Sequence, residues 1–110
     1  VGGKNIYPQD LEALANVVEG VHPGRVVAFG MYDEASGTEE AVLIAETDTQ
    51  DEEEKSKISR TIKDIVTRNS AITLRYVCLV DEKWLIKTSS GKIARSANKE
   101  KYMQAFHASS

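Results

Sequence analysis

The apolar residues of this chain recur with two periods, one helical and one strand-like. In residues 7–18 they recur every three or four positions, with Pro8 in the first turn and Gly20 ending the run, which predicts a helix. Residues 51–68 predict a second helix, with acidic residues in its first turn, and residues 96–106 a closing helix. The predicted inward positions of the three helices are Leu11, Leu14, Ala15 and Val18; Ile58, Ile62, Ile65 and Val66; and Ala97, Tyr102 and Phe106.

Three β-rich runs lie between these helices, at residues 25–32, 41–46 and 71–80. The polar loop at 33–40, with Gly37 at its turn, predicts that the first two strands form a hairpin. The order is therefore helix, strand, strand, helix, strand, loop, helix. It predicts a single α+β domain over residues 1–110, with a small sheet of about three main strands flanked by helices.

Composition and charge narrow the classes of function. The chain is 41% apolar and 28% charged, which is ordinary for a globular domain, and its net charge of -3 predicts no nucleic-acid binding. Cys78 is the single cysteine, so an internal disulfide is excluded, and no apolar run is long enough to span a membrane. We expect a cytoplasmic protein. The opening Val1-Gly2-Gly3, without an initiator methionine, suggests a domain excised from a longer protein.

Residue types suited to metal binding or nucleophilic catalysis do not cluster along the chain. His22, His107 and Cys78 are far apart in sequence, so no metal site is predicted. The acidic residues at 51–54 are interpreted as a solvated helix start, and Tyr76 and Trp84 as packing residues.

The segment "KTSSGK", residues 87–92, is the strongest candidate for function. It is not a phosphate-binding P-loop, because Ile86 stands where the first glycine is needed and Ile93 follows Lys92 in place of serine or threonine. A lysine beside a glycine in a flexible loop suits the placing of a cation against phosphate or carboxylate oxygens. On spacing alone, a solvated surface turn is the favoured interpretation.

Two segments together carry a resemblance to a known family. "IKTSSGKIAR" at 86–95 and "GGKNIYPQDLE" at 2–12 resemble the two signature segments of the C-terminal domain of acyl-adenylate-forming enzymes, of the fatty acyl-AMP ligase or acyl-CoA synthetase type. Ile86 replaces the family's usual proline. The resemblance covers essentially the whole chain, but only the small domain of such a two-domain ligase.

The resemblance implies a reaction in two steps. An acid attacks the α-phosphate of ATP to give acyl-adenylate and pyrophosphate, and a thiol of CoA or of a carrier protein's phosphopantetheine then attacks the acyl carbon. It implies that Lys92 is the catalytic residue of the first step. The residues implied to fit closely over the adenylate are Thr88, Ser89, Ser90 and Gly91. After the small domain rotates, Gly2, Gly3 and Lys4 are implied to line the pantetheine tunnel.

The same resemblance implies partners outside the chain. A large N-terminal domain would hold ATP, Mg²⁺ and the carboxylic acid, so the isolated domain is expected to be inactive. CoA and a carrier protein both stay open as the acceptor. An alternative is a free-standing nucleotide- or phosphate-binding module, or a protein-interaction module, without catalysis of its own.

Overall fold

A computed structural model describes residues 7–33, 35, 37–70 and 72–106 of the chain. In chain order, its helices and strands are α1 (Pro8–Asn16), β1 (Val26–Asp33), β2 (Thr38–Glu46), α2 (Glu52–Ser70), β3 (Leu74–Val80) and α3 (Arg95–Phe106). The predicted α+β class and order of elements are confirmed. None of the helices in the described residues is long and apolar enough to cross a lipid bilayer.

The three strands form one mixed sheet with β2 at its centre. β1 pairs with β2 in antiparallel fashion, from Val26 opposite Ala45 to Asp33 opposite Thr38, as the predicted hairpin requires. β3 lies parallel to β2, with Ile44 opposite Cys78. A parallel pair needs a crossover connection, and α2 supplies it. The sheet order leaves β1 and β3 as the two edges.

The sheet has a hydrophobic core on each face. Successive residues of β1 alternate between them, with Val26 and Ala28 in the core on one face and Val27 and Phe29 in the core on the other. α1 and α2 cover the first face through Leu11, Ala15, Ile58, Ile62 and Val66. α3 and the segment before it cover the second face through Tyr102 and Leu85. The fold therefore has three layers, which places α3 across the sheet from the other helices.

α3 packs against the sheet mainly through Tyr102. Its ring meets Phe29 edge to face, with centroids 5.6 Å apart and planes at 63°. The predicted inward position of Tyr102 is confirmed, Ala97 is half-buried, and the side chain of Phe106 lies outside the described residues. Burial raises the pKa of Tyr102, and it also raises the pKa of Cys78 on β3, although a hydrogen bond between the two side chains opposes the second shift.

Several details differ from the sequence-based prediction. The first helix ends at Asn16 instead of 18, so Val18 enters the core from the turn that follows. The third strand begins at Leu74 instead of 71. Tyr76 was interpreted as a packing residue, but 41% of its surface is exposed and the guanidinium of Arg75 lies 5.3 Å from its ring centroid. Trp84 is half-buried against the second core, as expected.

Candidate functional site

Residues 87–93, which we call the lysine hairpin, form a small antiparallel turn between the sheet and α3. Lys87 and Ile93 form an isolated β-bridge, and Thr88 N–H donates to the carbonyl of Lys92 at 2.7 Å. Gly91 N–H donates back to the carbonyl of Thr88 at 2.9 Å. These bonds make the segment more ordered than the flexible loop that the sequence suggested.

The tip of the lysine hairpin depends on two hydroxyls and one glycine. The hydroxyls of Thr88 and Ser90 lie 2.9 Å apart, and Thr88 Oγ1 also accepts from Lys92 N–H at 3.3 Å. Gly91 has a φ of 88°, a left-handed conformation that L side chains rarely adopt. The turn therefore requires glycine at 91 for its backbone conformation, since a Cβ there would meet nothing within 4 Å.

Lys87 and Lys92 are both exposed. Within the described residues, neither ammonium makes an ion pair or side-chain hydrogen bond. The hairpin sequence contains no acidic residue. The ammonium of Lys92 is therefore not neutralised by any other described residue. The backbone that carries it is held by the hydrogen bonds of the hairpin.

The segment just before the lysine hairpin, residues 84–86, is held by side chains instead of by the sheet. Glu46 Oε2 accepts from Leu85 N–H at 2.9 Å, and Lys101 donates to the carbonyl of Trp84. The ammonium of Lys101 also lies 4.1 Å from the centroid of the Trp84 ring, a cation–π contact. Glu46 is fully buried, with Arg25 at 3.6 Å from its Oε2, so this acceptor is fixed in the core.

Asn98, on α3, supplies two bonds to Ile86, whose carbonyl also accepts from Ala94 N–H at 3.0 Å. Its Oδ1 accepts from Ile86 N–H at 2.8 Å, and its Nδ2 donates to the carbonyls of Ile86 and Ala94, each at 2.9 Å. Its side chain is 0% exposed. The two bonds to Ile86 replace the pair of backbone hydrogen bonds that a neighbouring strand would make.

A second polar cluster joins the two segments that carried the family resemblance. The guanidinium of Arg95 lies 2.9 Å from both carboxylate oxygens of Glu12. Glu12 Oε2 also accepts from Ala28 N–H at 2.8 Å, and Arg95 Nε donates to the carbonyl of Ala28 at 3.1 Å. Ala28 is on the edge strand β1, so the pair occupies backbone groups that the sheet leaves free. Glu12 therefore joins three elements, namely α1, β1 and α3.

No pattern in the sequence predicted a third cluster, which lies just beyond the carboxyl ends of β2 and β3. His22, Asp48 and Glu82 each bring one potential metal-ligand atom within 4.8 Å of the others, although their separation along the chain predicted no such group. His22 Nε2 lies 2.7 Å from Asp48 Oδ1, and this hydrogen bond raises the pKa of His22 above 6.5 against the opposing effect of desolvation. Both carboxylates are exposed, so we interpret the cluster as an ion pair with a neighbouring acid.

The structure describes one of the two predicted groups of site residues and not the other. Thr88, Ser89, Ser90, Gly91 and Lys92 are brought together in the lysine hairpin. Gly2, Gly3 and Lys4, the predicted tunnel residues, lie outside the described residues.

A surface groove of about 840 Å³ runs beside α2 and the turn at 18–23, and it contains no residue of the lysine hairpin. The hairpin therefore presents Lys92 outside that groove, on an exposed turn.

Comparison with known proteins was made by sequence and by structure. A 4-hydroxyphenylalkanoate adenylyltransferase of Mycobacterium tuberculosis is 35% identical over 109 residues, which cover 94% of this chain and 17% of that protein. A probable long-chain-fatty-acid–AMP ligase of the same species is 33% identical over 106 residues, covering 91% of this chain and 17% of the relative. The structure of McyG A-PCP complexed with phenylalanyl-adenylate superimposes with a TM-score of 0.86 at 27% identity, covering 99% of this chain and 20% of that one.

The chain is homologous to the C-terminal domain of acyl-adenylate-forming enzymes. It spans about a fifth of the length of these relatives. No family model matches it. The lysine hairpin lies within one of the two segments that resemble this family, and the Glu12–Arg95 pair joins the two segments.

Proposed function

We propose that this domain belongs to an ATP-dependent ligase that activates a carboxylic acid, a fatty acid in our hypothesis, as acyl-AMP and then passes the acyl group to a thiol. Lys92 carries this proposal. It is an exposed ammonium with no partner in the described residues, on a hydrogen-bonded turn that has three hydroxyls and no acid. Relatives over most of the chain include a fatty-acid–AMP ligase.

The chemistry of adenylation explains why a lysine is needed. A carboxylate oxygen forms a bond to the α-phosphorus of ATP as the bond from that phosphorus to pyrophosphate breaks. Both reactants are anionic, so negative charge accumulates on the carboxylate and α-phosphate oxygens in the transition state. An ammonium placed between these oxygens lowers the barrier, because it meets the charge without reorganising. We assign this role to Lys92.

The lysine hairpin fits phosphate better than it fits a metal ion. Its polar side chains are three hydroxyls and two ammonium groups with no carboxylate, whereas Mg²⁺ prefers carboxylate and phosphate oxygens. We therefore assign Mg²⁺ and most of the ATP contacts to the large N-terminal domain. Thr88, Ser89 and Ser90 would contact the adenylate, and Gly91 would keep the turn narrow enough to approach it.

In the second half-reaction, we propose that the domain rotates and that Gly2, Gly3 and Lys4 line a tunnel for CoA or phosphopantetheine. Glycine suits a wall that a thiol must pass closely, since it has no side chain to obstruct the approach. Gly3→Trp in the full-length ligase should therefore spare acyl-adenylate formation and block thioester formation. Equal loss of both half-reactions would assign the glycines to the fold alone.

The overall activity is tested by acid-dependent exchange of pyrophosphate into ATP. The full-length ligase should catalyse this exchange with fatty acids, and the 110-residue chain alone should not, because it lacks the proposed ATP pocket. Exchange above background by the chain alone would contradict the domain assignment.

One observation favours the alternative of a free-standing module, namely that both faces of its sheet are covered by its own described residues. Titration of the chain with ATP and with an acyl-adenylate distinguishes the two proposals. Tight binding without a large domain would favour the module, and no binding would favour the ligase.

A further inference from the structure

We propose that Asn98 is a positioning residue for adenylation, which holds the base of the lysine hairpin so that Lys92 is presented at a fixed place. This inference rests on the proposed role of Lys92. Asn98 lies outside the segment that resembles the family signature, and it would act on Lys92 through the backbone of Ile86.

The first argument is that Ile86 has no sheet neighbour to satisfy its amide. The bond from Ile86 N–H is partly buried, and an intramolecular hydrogen bond of this kind contributes about 0.5–1.5 kcal/mol. Here Asn98 Oδ1 accepts from Ile86 N–H, and Asn98 Nδ2 and Ala94 N–H both donate to the Ile86 carbonyl. One fully buried side chain thus supplies the acceptor for the Ile86 N–H and shares the Ile86 carbonyl with the backbone amide of Ala94.

The second argument is that, among side chains as long as asparagine, only an amide can make this set of hydrogen bonds. Aspartate would accept from Ile86 N–H but would place a carboxylate against the carbonyls of Ile86 and Ala94. Leucine has nearly the same shape and makes none of the bonds. The donor and acceptor of asparagine are both used, and its helix α3 is anchored to the sheet by Tyr102 four residues later.

The third argument is the distance between Ile86 and the part of the lysine hairpin that carries Lys92. Thr88 lies two residues beyond Ile86, roughly 7 Å along an extended backbone, and Lys92 is hydrogen-bonded opposite it. A tilt of about 10° at Ile86 would therefore move the backbone of Lys92 by ~1 Å, and a misplacement of that size can lower a rate on the order of 10²-fold. A small change in backbone direction at Ile86 would therefore cause a large fall in the rate of adenylation.

The test is Asn98→Leu in the full-length ligase, with single-turnover rates for both half-reactions. We expect the adenylation rate at saturating acid and ATP to fall on the order of 10–10²-fold, with little change in KM. Thioester formation from a supplied acyl-adenylate should stay within about two-fold, because the hairpin does not take part in that step. Val66→Ala is the matched control, because it opens a cavity in the core on the opposite face of the sheet. It should lower stability without this split between half-reactions.

A double mutant tests whether Asn98 acts through Lys92. In a Lys92→Ala background, Asn98→Leu should cause no further loss of adenylation, since there is no ammonium left to misplace. A further loss equal to that in the wild type would overturn the inference and leave Asn98 with a general structural role. If Lys92→Ala alone has no effect, the proposed function fails instead, so the two failures are distinguishable.

Hydrogen exchange of the unmutated ligase keeps the inference testable even if Asn98→Leu does not fold. With fragmentation to single residues, the Ile86 amide should be protected, while the amides of Ser89 and Ser90 at the tip exchange rapidly. Exchange of Ile86 at the rate of the tip would contradict a fixed base.

Discussion

Removing the Glu12 carboxylate should destabilise the chain more than any exposed ion pair does. In Glu12→Ala, Ala28 N–H loses a charged acceptor at 2.8 Å, a hydrogen bond worth about 1.5–3 kcal/mol. The bond to Arg95 adds only about 0.2–1 kcal/mol, because the Arg95 side chain is 38% exposed and the pair is screened by solvent. The expected loss is therefore about 2–4 kcal/mol, or a fall in Tm of roughly 8–15 °C for a domain of this size.

Urea unfolding of the chain, followed by tryptophan fluorescence, measures this loss. Asp64→Ala is the control, since it removes an exposed pair with Arg68 within α2, which should cost no more than about 0.5 kcal/mol. Adding Arg95→Ala completes a double-mutant cycle with Glu12→Ala, and we expect a coupling of about 0.2–1 kcal/mol. If Glu12→Ala costs no more than Asp64→Ala, or if the cycle is additive, the account of this cluster is wrong.

Three further predictions follow from single residues. Gly91→Ala should cost about 1 kcal/mol through backbone strain at a φ of 88°, measured by urea unfolding, and a neutral or stabilising effect would contradict that reason. The pKa of His22 is raised above 6.5 by Asp48, so their bond stabilises the fold below that pH and its contribution is lost as pH rises through the folded-state pKa. Asp48→Asn should accordingly lower Tm at pH 5.5 more than at pH 8.5, and an equal fall at both would refute the assignment. Burial raises the pKa of Cys78, so iodoacetamide should modify it much more slowly in the folded chain than in urea, and equal rates would contradict this.

The order of elements could be predicted because each hydrophobic period matches one type of element. The stripe at Ile58, Ile62 and Val66 packs on one face of the sheet as expected. The boundaries of the strands were less predictable. Glu39 and Glu40 are polar, yet they pair with Tyr32 and Met31 through backbone bonds that do not depend on side-chain polarity, so β2 begins earlier than its apolar run.

The candidate site was predictable at its tip and not at its base. The lysine hairpin is a local segment, so its residues could be singled out from the sequence, and the choice of Lys92 rested on the family resemblance. Its base is held by Glu46 on Leu85 and by Asn98 on Ile86, pairs that are 39 and 12 residues apart. A buried glutamate at the end of an apolar strand was the one available signal, and its partner depends on the crossover through α2, which no local pattern specifies.

The central claim is that Lys92 supplies the charge for adenylation, and single-turnover kinetics of the full-length ligase test it most directly. Lys92→Ala should lower the rate of acyl-adenylate formation on the order of 10²–10³-fold, while thiol attack on a supplied acyl-adenylate is retained. Lys87→Ala is the matched control, since it removes an equally exposed ammonium from the same hairpin and should have a far smaller effect. Equal losses in the two variants, or full adenylation by Lys92→Ala, would contradict the account and leave residues 87–93 as a solvated turn.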